Sequence, residues 1–335
     1  MTRLLVVDTA DGTLEERDVG ALPALLDARD LLVVNDAATL PASLSATFAG
    51  EPVEVRLVEG PHRATTRAVL LGRGDHRTPT EHRPPPPRVR AGDVLRIGSA
   101  ALTVAEVSTL SPRLVTLAWE GDQDARFALV YRAGRPVQYS HAPLPRALWD
   151  VQTMFASRPW AVEMPSAARP LDFALLSTLL KKGIAVARVT EAAGLSSTGD
   201  PAIDDALPLP ERYEIPPATV RAIDATRARG GRVVAVGTSV VRALEDSAGR
   251  HGRVVAGAAM ATLVLSPSTK PRVVAGLLTG IHVPGESHYQ LLGAFAEDEM
   301  LTRATAVARE RGLRPHELGD AALLLPGVLA TRRAA

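Results

Sequence analysis

The densest group of ionisable side chains in the sequence is His282, Glu286 and His288, which fall within seven residues. An imidazole titrates near neutral pH, so His282 could serve as a general acid or base. Two histidines and a glutamate could instead bind zinc, although Pro284-Gly285 between them would break a helix and the spacing is unlike known metal motifs. Structural hydrogen bonding is the third possibility, and the residues alone leave all three open.

A second candidate is the loop Gly237-Thr238-Ser239, which joins the β-branched run 232–236 to an amphipathic pattern. Glycine permits a sharp turn, and Thr and Ser are preferred helix N-caps. Free N–H groups at the start of a helix, together with its dipole, suit a carboxylate or a phosphate. The same pattern is also typical of an ordinary, well-capped αβ unit, because a lone glycine turn is a weak motif.

The helix that follows this loop has an apolar stripe of Val240, Val241 and Leu244. That spacing predicts one buried face and leaves Arg242, Glu245 and Asp246 on the other side. Arg242 could bind a carboxylate or a phosphate. It could equally form a structural pair with Glu245, three residues further on.

Four more polar residues lie near the ends of predicted elements. Asn35 and Asp36 close the predicted strand 30–36, and the carboxyl ends of strands are where α/β sheets place ligands; an Asx turn is the equally good alternative. Asp172 and Asp320 could each bind an amine or an adenine edge, or each could simply cap an element.

The elements that must position these residues predict an α/β main domain with a mixed sheet. Strand and helix patterns alternate on both sides of a different segment. Between residues 53 and 138 the pattern is one of short β-type runs separated by Gly, Pro and Asp, without a helical period, which predicts an inserted antiparallel β-barrel. We therefore predict a discontinuous main domain, residues 1–52 and 139–335, and an inserted domain, residues 53–138.

Composition excludes several classes of function. The chain has 335 residues, 46% of them hydrophobic, a net charge of +1 and no cysteine. Disulfides, thiolate nucleophiles and cysteine metal sites are therefore excluded, and no global basic field indicates a nucleic acid partner. Neither a signal peptide nor a membrane-spanning run is apparent, so we expect a cytoplasmic protein that is a monomer or a small homo-oligomer.

Several segments, taken in order, resemble motifs of the S-adenosylmethionine:tRNA ribosyltransferase-isomerase family of queuosine biosynthesis. They are residues 35–44, 152–153, 164–173, 235–245, 276–287 and 318–321. The resemblance covers the whole chain, including the β-barrel insertion. It also departs from the family at several polar positions: Ala38 stands in place of an Arg, Asp172 in place of a His, Gly280-Ile281 in place of Asn-Phe, and Gly285 in place of a Lys; the segments 188–198 and 207–211 differ as well.

The resemblance implies transfer and isomerisation of the ribosyl part of S-adenosylmethionine onto 7-aminomethyl-7-deazaguanine in tRNA, giving epoxyqueuosine and releasing adenine and methionine. S-adenosylmethionine is then a co-substrate, and no metal is expected. Carried over, the resemblance makes His282 the acid/base, with Asp172 and Glu286 as second choices. It assigns substrate binding to Asn35, Asp36, Gly237, Thr238, Ser239, Arg242 and Asp320.

The departures keep two alternatives open. One is a paralogue that uses S-adenosylmethionine on a small-molecule acceptor, or only cleaves it, because the lost Arg and Lys would weaken phosphate contacts with tRNA. The other is a non-catalytic binding protein on the same scaffold.

Overall fold

The computed structural model describes residues 2–330. Within them the chain alternates between strands and helices on either side of an all-β segment. In chain order the strands are β1 (Arg3–Asp8), β2 (Leu14–Asp18), β3 (Leu31–Asn35), β4 (Ala37–Thr39), β5 (Ser43–Phe48), β6 (Glu51–Leu57), β7 (Thr65–Leu71), β8 (Val94–Ile97), β9 (Ala100–Val107), β10 (Leu114–Trp119), β11 (Gly134–Arg135), β12 (Arg158–Ala161), β13 (Ala185–Glu191), β14 (Glu211–Ile215), β15 (Val233–Val236), β16 (Gly257–Ala261), β17 (Gly276–Gly280) and β18 (Ala321–Leu325).

The helices are short to medium in length. They are α1 (Leu22–Leu25), α2 (Gln123–Ala133), α3 (Phe173–Lys181), α4 (Pro201–Asp204), α5 (Pro217–Ala228), α6 (Thr238–His251), α7 (Ser287–Leu292) and α8 (Asp298–Glu310). No helix of the described part of the chain combines the length and the apolar character needed to cross a membrane.

The main sheet has nine strands in the order β16-β14-β13-β3-β15-β17-β18-β1-β2. Its centre, β13-β3-β15-β17, is parallel, whereas β18 runs antiparallel to β17 and β14 antiparallel to β13. Strands β3 and β15 are buried along their whole length, as expected for parallel strands covered on both faces. Two apolar cores lie on the two sides of this sheet. The predicted α/β architecture with a mixed sheet is confirmed.

The second sheet closes on itself as an antiparallel barrel. Its strands follow the order β5-β6-β7-β10-β9-β8, and β8 returns to pair with β5 through Thr47 and Arg96. Alternating residues of these strands fill a separate core, so the barrel interior is packed side chains rather than a channel. The predicted barrel insertion is confirmed.

The barrel differs in detail from the sequence prediction. Its first strand, β5, begins at Ser43, before the boundary we predicted at residue 53. The segment also contains α2, capped by Asp122, which accepts a hydrogen bond from the Ala125 N–H; its weak amphipathic pattern hid it. We propose residues 43–135 as the inserted domain, with the remaining residues forming the main domain.

Candidate functional site

One cleft of about 440 Å³ lies where the carboxyl ends of the central parallel strands meet the barrel. It is bordered by the turn after β15, the end of β17 and the segment that precedes α7. Residues 79–81 of the barrel segment and residues 139–141 and 163–167 of the long connection form the opposite side. Ligand pockets commonly have volumes of about 300–1,000 Å³, so the cleft is large enough for a nucleoside-sized substrate.

The floor of the cleft is the start of α6. Gly237 is the N-cap, with φ 102° and ψ 150°, a conformation that essentially only glycine adopts. Thr238 and Ser239 are therefore in the first helical turn, which corrects our expectation that they cap the helix. Because Gly237 has no side chain to cap it, the N–H groups of this turn remain available to a ligand. All three residues line the cleft.

Asn35 supports this floor from the neighbouring strand. It is fully buried, and its Nδ2 donates to the Ser239 hydroxyl at 3.2 Å and to the Glu191 carbonyl at 2.9 Å. Its Oδ1 accepts the Ala37 N–H at 3.0 Å, which is the Asx turn that was the alternative interpretation. Asn35 thus fixes the position of Ser239 rather than facing the cleft.

The predicted acid/base histidine lies in the wall of the same cleft. The Nε2 of His282 is 2.8 Å from the Thr279 hydroxyl, and its Nδ1 is 3.7 Å from Oε2 of Glu286. The other oxygen, Oε1 of Glu286, is 3.4 Å from Nδ1 of His316. Burial opposes ionisation of Glu286, but hydrogen bonds from His282 and His316 outweigh it and lower its pKa. One carboxylate therefore faces two imidazoles.

His288, the third member of the ionisable cluster, also lines the cleft. Its ring centroid is 5.2 Å from that of His282. Burial and the charge of His282 lower the pKa of His288 to about 4, so it is neutral at pH 7. No group of three or more His, Asp and Glu side chains with metal-binding geometry occurs within residues 2–330.

A second group of titratable residues, which the sequence patterns did not single out, also lines the cleft. The rings of His141 and His316 stack with centroids 4.1 Å apart, and Nε2 of His141 is 2.6 Å from Oε2 of Glu317. Tyr139 donates from its hydroxyl to Glu163. Burial and the charge of Glu317 raise the pKa of Glu163 to about 7. The only sequence signal was the aperiodic connection 139–170, because long ordered loops are often functional.

Beneath the floor lies a buried pair of glutamates. Glu191 ends β13 and Glu211 begins β14, and Glu211 accepts hydrogen bonds from the Gly194 N–H at 2.6 Å and from Arg242. Burial and the negative charge of Glu211 raise the pKa of Glu191, although Arg242 opposes this. Burial also raises the pKa of Glu211 despite its contact with Arg242. Both carboxyls are therefore easier to protonate than a glutamate in water.

Arg242 lines the cleft, but its guanidinium is committed to protein groups. Besides Glu211, it donates to the carbonyls of Leu263 at 2.9 Å and Ala261 at 3.1 Å, and to those of residues 208 and 209. The predicted alternative, a pair with Glu245, is absent: Glu245 accepts three backbone N–H bonds from residues 272–274 at 2.7–2.9 Å.

Helix α6 is consequently buried on almost all sides, which corrects the prediction of a single buried face. Asp246, like Arg242 and Glu245, is less than 5% exposed. It accepts hydrogen bonds from the Tyr213 hydroxyl at 3.0 Å and the Thr262 N–H at 3.1 Å. The polar side of the helix therefore holds neighbouring segments in place and keeps its N-terminus fixed under the cleft.

Besides Asn35, three predicted site residues lie outside the residues that line the cleft. Asp172 is exposed and caps α3, accepting the Leu175 N–H at 2.8 Å. Asp36 accepts the Thr190 hydroxyl at 2.5 Å. Asp320 accepts the N–H groups of Arg3 at 3.0 Å and Arg314 at 2.9 Å. The carboxylates of Asp172 and Asp320 hold backbone N–H groups and that of Asp36 holds the Thr190 side chain, so this geometry does not support a catalytic or substrate-binding role for them.

Comparison with known proteins identifies the family. The family model described as queuosine biosynthesis protein matches residues 1–324. Curated proteins named S-adenosylmethionine:tRNA ribosyltransferase-isomerase are 37% identical in Thiobacillus denitrificans, over 98% of this chain and 92% of the relative, and 36% identical in Gloeobacter violaceus, over 97% and 90%. The chain belongs to this queuosine biosynthesis family. The resemblance read from its motifs is confirmed.

One solved structure has the same fold as this chain. It is an S-adenosylmethionine tRNA ribosyltransferase from Thermotoga maritima, 24% identical, with a TM-score of 0.51 over 97% of this chain and 92% of the other. The match covers 97% of this chain, so it includes the segment that forms the barrel as well as the main sheet.

Proposed function

We propose that this chain transfers and isomerises the ribosyl part of S-adenosylmethionine onto the aminomethyl group of 7-aminomethyl-7-deazaguanine in tRNA, as an S-adenosylmethionine:tRNA ribosyltransferase-isomerase. Family membership supports this reaction, because curated relatives of nearly the same length carry that name. The single observation that carries it is the convergence of the Thr238–Ser239 turn and His282 on one cleft.

The two sides of the cleft suit the two ends of the co-substrate. The N-terminal turn of α6, through Thr238 and Ser239, would bind the methionine carboxylate. The sulfonium acidifies the protons on the adjacent C5′ carbon, so Nε2 of His282 could remove one near neutral pH. The Thr279 hydroxyl, 2.8 Å away, would hold this nitrogen in place until substrate arrives.

The departing adenine needs a proton or a strong hydrogen bond at a ring nitrogen. Glu163 fits this role, because it lines the same cleft as His282 and its pKa is raised to about 7 by burial and by the charge of Glu317. Such a carboxyl can give up a proton at neutral pH. Overall, the cationic co-substrate and the amine yield the modified base, adenine, methionine and one proton.

A cluster of arginines beside the cleft supports an RNA acceptor. Arg169 donates to the carbonyls of Leu318 and Gly319, both at 3.1 Å. Arg314 lies 3.7 Å from Asp320 in the same segment, and Arg146 borders a small cavity together with Leu318. Burial and the positive charges of Arg314 and Arg146 lower the pKa of Arg169, so the three guanidinium groups lie close enough to repel one another.

The positive charges of these arginines are only partly balanced by nearby carboxylates. The negative charge of Asp320 raises the pKa of Arg169, but the Asp320 carboxylate is already shared with Arg3 and Arg314. The Nε atoms of Arg146 and Arg169 are buried without a hydrogen-bond partner in the described residues. A phosphodiester backbone supplies the anions that such a group favours. A cytoplasmic location, where tRNA is found, is part of the same proposal, and the oligomeric state stays a prediction.

The test is incubation with S-adenosylmethionine, with and without tRNA that carries the 7-aminomethyl-7-deazaguanine precursor, followed by mass spectrometry. Release of adenine and methionine that depends on this tRNA, together with a matching mass gain on the RNA, would support the proposal. Adenine release without any gain on the RNA would show that the chain only cleaves S-adenosylmethionine. No release under either condition would refute the proposed reaction.

A further inference from the structure

His316 occupies an unusual position beside the cleft. It has φ 68°, in the left-handed region that few residues other than glycine adopt, asparagine, aspartate and histidine being the commonest of these. Its N–H donates to the Ile281 carbonyl at 3.1 Å, so its backbone is tied to the residue directly before His282. Residues held in such conformations tend to cluster at functional sites.

The side chain of His316 reaches the same carboxylate as His282. Its Nδ1 is 3.4 Å from one oxygen of Glu286, while Nδ1 of His282 is 3.7 Å from the other oxygen. The Val283 N–H donates to Glu286 at 3.2 Å. The carboxylate is thus held between two imidazoles, and its negative charge is divided between them.

A second ion pair lies behind His316. Its ring stacks on His141 with an interplanar angle of 14°, and His141 in turn contacts Glu317 at 2.6 Å. Its hydrogen bond to Glu286 raises the pKa of His316, burial opposes this, and the charges of Glu286 and Glu317 add to the increase. The charged or titratable groups that face His316 are therefore Glu286, Glu317 and His141. Those that face His282 are Glu286 and His288.

We propose that His316 is a positioning residue for His282: it shares the Glu286 carboxylate with His282 and so sets the orientation and basicity of the His282 ring. This inference rests on the proposed function only in assigning the acid/base role to His282. When His316 is protonated, its positive charge offsets part of the Glu286 charge that acts on the His282 ring.

The direct test is the substitution His316→Asn, since asparagine tolerates a left-handed backbone and removes the imidazole. Without the positive charge at position 316, the whole charge of Glu286 acts on His282. The NMR-detected titration of the His282 imidazole should then move to higher pH. His316→Gly provides a second variant compatible with the same backbone, and His251→Asn, on the exposed end of α6, is the control that should leave His282 unchanged.

The variant Glu286→Gln completes a double-mutant cycle with His316→Asn. Removing the carboxylate should lower the pKa of His282, and adding His316→Asn to that variant should then have no further effect. An unchanged or lowered pKa of His282 in folded His316→Asn and His316→Gly would overturn the inference. The inference would also be overturned if His316→Asn raised the pKa of His282 by the same amount in the Glu286→Gln variant as in the wild-type protein.

The activity profile separates this inference from the proposed function. If both hold, the acidic limb of kcat/KM for adenine release moves to higher pH in His316→Asn, by the same amount as the pKa of His282. If wild-type protein releases no adenine at any pH, the proposed function fails, and the NMR titration still decides whether His316 acts on His282.

Discussion

The hydroxyl of Thr279 lies 2.8 Å from Nε2 of His282. Thr279 belongs to β17, the strand next to β15, whose following turn begins α6. The contact therefore fixes the imidazole at the end of a central strand, beside the helix N-terminus. Rigid elements on both sides give the geometry that acid/base chemistry needs, because a proton is transferred only over hydrogen-bond distances.

The first prediction concerns His282→Ala. We expect kcat for adenine release to fall by about 100- to 10,000-fold, the usual contribution of a general acid or base. The His282 side chain is 15% exposed and contacts Thr279, Glu286 and His288, so the melting temperature of the variant is measured beside its turnover to show that it is folded. His251→Ala, outside the cleft, is the matched control. Wild-type-like turnover by folded His282→Ala would remove this histidine from the mechanism.

The second prediction compares two glycines of the same helix region. Gly237→Ala places a side chain at φ 102° and ψ 150°, with its Cβ 3.4 Å from that of Ala167. We expect the free energy of unfolding to fall by about 1–3 kcal/mol and the Kd for S-adenosylmethionine to rise, because the turn that we propose to bind its carboxylate must shift. Chemical denaturation and calorimetric titration measure the two effects.

Gly249→Ala is the matched control for that experiment. Gly249 is an exposed helical residue of α6, and an added Cβ there meets nothing within 4 Å. Alanine in a helix should increase stability by about 0.5–1 kcal/mol and leave ligand binding unchanged. Equal effects of the two substitutions on binding would argue against a role for the Gly237 turn.

The third prediction tests the arginines beside the cleft. In the double variant Arg146→Ala/Arg314→Ala, the slope of log K against log salt concentration for tRNA binding should become shallower by about 1.5. The reason is that a protein with fewer phosphate contacts releases fewer counterions when it binds. Arg29→Ala is the control, because Arg29 precedes β3 at the edge of the sheet opposite the cleft and pairs with Asp27. An unchanged slope in the double variant would place the RNA elsewhere.

The fourth prediction concerns Glu163 and the pH dependence of stability. Its pKa in the folded protein is about 7 instead of the usual 4.5, so the folded state binds a proton more tightly than the unfolded chain. The stability this gives is complete below pH 4.5 and is lost as pH rises through 7. Wild-type protein should therefore lose up to about 3 kcal/mol more between pH 4.5 and 8 than Glu163→Gln. Parallel stability curves for the two proteins would contradict this assignment.

Local patterns predicted the parts of the site that are built by backbone turns. A glycine between a buried strand and a helix predicted the turn at Gly237, and a polar residue closing an apolar strand predicted that Asn35 lies at the carboxyl end of the sheet. Both features depend on a few adjacent residues. The elements that they terminate, β15 and β3, are neighbours in the sheet, which is why the two residues approach the same floor.

Roles that depend on distant segments could not be predicted in this way. Arg242 and Glu245 have the spacing of a helical pair, yet each is bound to a different remote segment. Glu191 comes at the end of an ordinary apolar strand, and nothing in the sequence indicates that the fold places it next to Glu211. Asp172 illustrates the opposite case, because a simple helix cap explains it fully and the chemical role that we assigned to it finds no support.

The most direct test of the account is a crystal structure of the protein with S-adenosylmethionine bound. We predict the methionine carboxylate within hydrogen-bond distance of the Thr238 and Ser239 N–H groups, and the C5′ carbon next to Nε2 of His282. Density for S-adenosylmethionine outside this cleft, or in it but with the sulfonium far from His282, would contradict the account.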